Sequence, residues 1–126
     1  MDKTIITKYQ DLHIWQKSID LVTKIYEETR KFPEKETYGL ILQTRKSAIS
    51  IPSNIAEGYG RNSTHDYLRF LNISKGSLYE LETQLLIACN LKYIPIESYN
   101  NLNEICKEIE RMLSSLIKKL RIKVSE

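Results

Sequence analysis

Four glycines and three prolines are the only strong chain-breakers among 126 residues. So few leave little material for the tight turns of a β-sheet and favour long helices. Apolar side chains agree with this, because they recur at intervals of three and four residues, the spacing of one helix face. Four such stretches follow one another, separated by breaks near Pro33, Gly58 to Gly60 and Pro95.

The first helix is expected over about 11–31, with Asp11 as N-cap and a stripe of Leu12, Trp15, Ile19, Val22, Tyr26 and Thr29. Phe32-Pro33 ends it, since a residue before proline is pushed out of the α region. The second is expected over about 34–59, opened by Pro33, Glu34 and Glu36 and bent at Pro52, with Gly58 and Gly60 as its stop. The third is expected over about 63–92, where Ser63 and Asp66 form a capping box, with a stripe of Tyr67, Phe70, Leu71, Ser74, Leu78, Leu81, Leu85 and Ala88. The fourth is expected over about 97–122, with Leu102, Ile105, Ile109, Met112, Leu113, Leu116 and Leu120 facing the core. Four helices with short connections predict an all-α fold, an antiparallel up-down-up-down four-helix bundle, as a single domain over 1–126. Leu40 to Leu42 and the run Leu85 to Cys89 point in every direction around their helices. One bundle core cannot cover them, so a subunit interface is expected.

A charged fraction of 28%, a net charge of +3 and a pI near 8.8 permit an anionic partner without demanding one. No stretch is apolar enough for a membrane span or a signal peptide, so a cytoplasmic protein is expected. Cys89 and Cys106 lack metal-type spacing and read as buried thiols of a reducing compartment. No Glu-x-x-His pair, phosphate loop or nucleophile elbow is present, and His13 and His65 open different helices without a carboxylate partner. Neither a catalytic activity nor a cofactor or metal is expected.

Two constellations remain. On the second helix Gln43, Ser47, Ser50, Asn54, Glu57 and Arg61 share a face, which is either solvated or the seat of a buried network. In that network Asn54 and Glu57 would meet Ser77 and Glu80, and Arg45 would flank as an ion-pair partner. The second constellation is cationic: Lys107, Arg111, Ser114, Lys118 and Arg121 share a face of the fourth helix, and Lys119 and Lys123 add to its last turns. These charges either complement the helix C-terminus or bind phosphates. Lys46, Arg61, Arg69 and Lys75 extend the candidate nucleic-acid-binding set onto the second and third helices.

Asp11-Leu12, Trp15, Phe32-Pro33, Tyr38-Gly39-Leu40, Asn54-Ile55-Ala56-Glu57-Gly58 and Gly76-Ser77-Leu78 with Glu80-Leu81-Glu82 together carry a family resemblance. Over about residues 9–120 the chain resembles the four-helix-bundle proteins encoded in intervening sequences of bacterial 23S ribosomal RNA genes. The accessory variability determinant of diversity-generating retroelements is similar to that group. The resemblance implies a ring-like homo-oligomer, a homopentamer, that binds RNA or DNA through basic surfaces without base specificity. In retroelement members it also implies a reverse transcriptase as partner, and it implies no catalysis. The alternative from the residues themselves is a protein-protein interaction module or scaffold that binds no nucleic acid.

Overall fold

The computed structural model describes residues 5–125, and every regular element among them is helical. We number the helices α1 (His13–Thr29), α2 (Leu42–Tyr59), α3 (Thr64–Asn90) and α4 (Ile96–Ser125). They run up, down, up and down. Between α1 and α2 the chain makes a 3₁₀ turn at Glu34–Glu36 and one π turn at Thr37–Ile41.

Local chemistry explains where each helix begins and ends. Asp11 is not the cap of α1: it lies in a short 3₁₀ turn, where one carboxylate oxygen accepts from the backbone N–H of Thr7 (3.1 Å) and from its hydroxyl (3.2 Å). Leu12 occupies the cap position instead. The expected start of the second helix near residue 34 is also corrected. Glu36 turns its carboxylate onto the N–H of Leu40 (3.0 Å), Gly39 departs from helical angles, and α2 proper starts only at Leu42. It continues unbroken across the buried Pro52. At the start of α3 the Ser63 hydroxyl accepts from the N–H of Asp66 (3.2 Å), as the capping pattern requires. Lys92, with φ of 68°, ends α3 in the left-handed conformation, and Tyr93 N–H reaches back to Ala88 O (2.9 Å). This is a Schellman closure with lysine where glycine is usual.

The core is continuous through all four helices, from Ile14, Leu21 and Ile25 of α1 to Ile109, Leu113 and Ile117 of α4. The stripe expected for α1 is displaced. Its buried side chains are Ile14, Ser18, Leu21, Ile25 and Thr29, whereas Leu12, Trp15, Val22 and Tyr26 are half-buried and Ile19 is exposed. Two apolar stripes lie about 100° apart on this helix, and the one interrupted by Ser18 faces the core. On α4, likewise, Cys106 and Ile117 are buried where Ile105, Met112, Leu116 and Leu120 are only half so.

The tightest pair is α2 with α3, which small residues make possible. Ser74 donates to Ile51 O (2.8 Å), and the hydroxyls of Ser50 and Ser77 meet at 2.8 Å. Gly58 is buried inside α2 rather than forming its stop; a Cβ there would lie 2.8 Å from Phe70 Cβ and 3.0 Å from the Tyr67 ring. The helix therefore needs glycine for closeness, not for termination.

Candidate nucleic-acid interface

Antiparallel pairing fixes which residues share an end of the bundle. Lys17 pairs with Glu108 (3.0 Å) across α1 and α4, Lys107 with Glu82 (3.5 Å) across α3 and α4, and Ser50 with Ser77 across α2 and α3. Hence the start of α1, the end of α2, the start of α3 and the end of α4 lie together. Residues 5–19, 53–75 and 111–125 form this half. They carry Lys8, Lys17, Arg61, Arg69, Lys75, Arg111, Lys118, Lys119, Arg121 and Lys123 against Asp11, Glu57 and Asp66, a net +7. The other half, residues 20–52 and 76–110, holds eight Lys and Arg against eleven Asp and Glu, a net −3. The modest overall charge conceals a strongly polarised molecule.

At the cationic end Lys75 of α3 faces Lys118 and Arg121 of α4 across a groove of about 550 Å³, with Ser114 and Ser125 at its sides and Ile117 and Ile122 in its wall. Arg111 and Lys119 line a second groove on the other side of α4, with His13, Leu12 and Met112. Arg61 and Arg69 both lie over the Phe70 ring, at 4.8 and 4.5 Å from its centroid, and each is also paired, with Glu57 and Asp66 respectively. Lys123 is exposed on the last turn.

Two of the ten candidate cations lie away from this end. Lys46 is exposed on the opposite half of α2. Lys107 is held between Glu82 (3.5 Å) and Glu110 (3.6 Å), and Glu110 also accepts from the Tyr79 hydroxyl (3.0 Å). Attraction to Glu82 raises the Lys107 pKa, while burial of Glu82 raises its own carboxyl pKa against that attraction. Lys107 is half exposed and gains little, so the burial of Glu82 governs.

The polar face of α2 divides in the same way. Asn54 donates to Ser50 O (2.8 Å) and to the Ser50 hydroxyl (2.9 Å), which connects it through Ser50 to Ser77. Gln43, Glu57 and Glu80 are exposed, and the partner of Glu57 is Arg61. Arg45 corrects the expectation of an ion pair. Its Nε donates to the Thr29 hydroxyl (2.8 Å), its Nη2 to Tyr26 O (3.4 Å), and its guanidinium lies 4.3 Å from the Tyr26 ring centroid. It therefore closes the C-terminal turn of α1, where a cation complements the free carbonyls.

Among the described residues no cluster of His, Cys, Asp and Glu suits a metal ion, and no helix is long and apolar enough to cross a membrane. The fold is that of a helical bundle with its cations gathered at one end. The chain belongs to the 23S rRNA-intervening sequence protein family, whose pattern it matches over residues 10–115. It is similar to the crystal structure of a protein of unknown function from the S23 ribosomal protein family of Bacteroides thetaiotaomicron. That likeness has a TM-score of 0.76 and 29% identity over 83% of this chain and 98% of the other. Among curated proteins none matches.

Proposed function

We propose that this protein is a non-enzymatic, cytoplasmic homo-oligomer that binds RNA or DNA non-specifically through its cationic end. The observation that carries the reading is the segregation of ten cations against three carboxylates into one half of the bundle, with Lys75, Lys118 and Arg121 converging on one groove. Contacts to phosphate supply affinity without sequence information, which suits lysine and arginine offered mostly from helix faces. Assembly multiplies the effect: a ring of five, which the family resemblance suggests, would present five such ends and engage several phosphates at once. In the retroelement setting of related proteins, such a ring would hold template for a reverse transcriptase. Salt titration of binding to a labelled 20-base-pair duplex tests this. The logarithm of affinity should fall with the logarithm of salt at about −0.9 per phosphate neutralised. No binding at about 50 mM salt sinks the proposal.

A second reading, a protein-interaction module without nucleic-acid binding, draws support from a different observation. Trp15, Ile19 and Val22 of α1 face Ile49, Pro52 and Ala56 of α2 across an apolar groove of about 300 Å³, and Leu86, Ile87 and Leu91 are 43–51% exposed on α3. Such faces suit contact with protein. The salt titration separates the two readings, and light scattering tests the ring: a monodisperse particle of about five times the 14.8 kDa chain mass is expected, and a lone chain at micromolar concentration contradicts it.

A further inference from the structure

Exposed tyrosines and the cationic groove are segregated to opposite halves of the bundle, and this bears on what form of nucleic acid the cationic end accepts. Every Tyr, Trp and Phe side chain at that end is half-buried and already engaged, and the exposed imidazoles His13 and His65 lie outside the groove of Lys75, Lys118 and Arg121. Tyr9 meets Trp15 edge-on (5.3 Å), Tyr59 meets Tyr67 edge-on (6.1 Å), and Phe70 lies beneath Arg61 and Arg69. The two exposed tyrosines lie on the anionic half. Tyr38 is 87% exposed beside Glu34 and Glu36, and Tyr79 is 43% exposed with its hydroxyl on Glu110.

Proteins that hold single strands combine a basic groove with aromatic faces on which bases stack, because an unpaired base left in water gains nothing from phosphate contacts alone. Here the groove has the first component without the second. Its hydroxyls Ser114 and Ser125 suit phosphate oxygens, and its wall is aliphatic. From Ser114 to Ser125 the helix rises about 16 Å. Over that length a duplex offers about ten phosphates and a single strand about five, at about 1.7 and 3.4 Å per charge.

From this segregation, and resting on the proposed nucleic-acid role, we infer that the cationic end is a site for double-stranded nucleic acid, selected by phosphate density, and discriminates against single strands. Arg121 is the one arginine in the groove, and a single guanidinium cannot stack a run of bases.

Fluorescence anisotropy at 0.1 M salt with a 20-base-pair DNA, the matching RNA duplex and a 20-nucleotide oligothymidine tests this on the full chain. Each additional phosphate neutralised at a slope of −0.9 is worth about eightfold at that salt, so the duplexes should bind about tenfold or more tighter than the single strand. Ile122→Trp places a ring at a groove position that is 55% exposed in the native chain. It should raise oligothymidine affinity about tenfold, in the range of base–aromatic stacking, and so narrow the ratio of duplex to single-strand affinity. Equal or tighter binding of oligothymidine by the native protein overturns the inference while leaving the nucleic-acid role intact. So does an Ile122→Trp variant, folded by circular dichroism, whose single-strand affinity is unchanged. Absence of binding to every probe defeats the nucleic-acid role itself, and the duplex preference with it.

Discussion

Substituting Gly58 and Gly76 by alanine should shift stability in opposite directions, although both glycines lie inside helices. Alanine improves helix propensity by about 1 kcal/mol over glycine at either site. At Gly76 the new methyl meets nothing within 4 Å, so the gain is kept and Gly76→Ala should stabilise by about 0.5–1 kcal/mol. At Gly58 it lies 2.8 Å from Phe70 Cβ, 3.0 Å from Tyr67 Cδ1 and 3.3 Å from Tyr67 O. Two of those atoms are backbone or fixed to it, so α3 itself has to move. Overpacking of this kind costs about 1–3 kcal/mol or more, and Gly58→Ala should be net destabilising by about 1–2 kcal/mol. For 126 residues, at about 3–6 °C per kcal/mol, Gly58→Ala should lower the melting temperature by about 5 °C and Gly76→Ala should raise it by about 3 °C. Urea and thermal unfolding at one fixed protein concentration measure both, since an oligomer's melting depends on concentration. If Gly58→Ala proves as stabilising as Gly76→Ala, the close approach of α2 and α3 is not what the glycine serves.

Lys92→Gly removes a side chain from a left-handed position and should stabilise by about 0.5–1 kcal/mol in urea unfolding; a loss of stability would show that the side chain matters more than the turn. Asn54→Leu removes the amide that donates to Ser50 O and to the Ser50 hydroxyl, leaving that hydroxyl only its bond with Ser77, and should cost about 1 kcal/mol by the same assay. Glu57→Leu, at an exposed site, should stay within about 0.5 kcal/mol, and equal effects would refute the division of that face. Burial pushes the Cys106 thiol pKa up to about 12 from an ordinary 9.0. A thiol-reactive dye at pH 8 should therefore label the half-buried Cys89 alone in the native protein, and both thiols in denaturant. Because the folded thiol holds its proton longer than the unfolded one, its share of stability is full below about pH 9 and is lost as pH rises toward 12.

The number and order of the helices were legible in the sequence, because three-four spacing and scarce chain-breakers leave few alternatives, while the start of α2 at Leu42 was not. Which of two stripes on α1 faces inward was not. Trp15, Ile19 and Val22 fit the period as well as Ile14, Leu21 and Ile25, and Ser18 disguises the true core stripe. A serine reads as polar until its hydroxyl is seen bonded to the carbonyl of Trp15 (2.8 Å). Arg45 was misjudged for a related reason, since its partners are a hydroxyl and a carbonyl of another helix rather than an acid at helical spacing. Of the cationic groove, Ser114, Lys118 and Arg121 could be read from one helix face. The place of Lys75 opposite them, and the diversion of Lys107 onto Glu82 and Glu110, depend on the register of α3 against α4. The polarity of the molecule was hidden for the same reason: a net +3 discloses nothing until antiparallel pairing shows which residues share an end.

That polarity can be tested by making the same change of net charge at either end. Lys75, Lys118 and Arg121, all →Glu, remove the groove's cations, and Lys24, Arg30 and Lys35, all →Glu, make the same change of net charge at exposed positions of the anionic half. Both variants fall from +3 to −3 per chain. Affinity for a 20-base-pair duplex, followed from about 50 to 200 mM salt, should collapse in the first variant together with its salt slope. In the second it should fall far less, and the slope should match that of the native protein. Equal losses in the two variants would mean that net charge alone draws the duplex, and the cationic end would lose its claim as the binding surface.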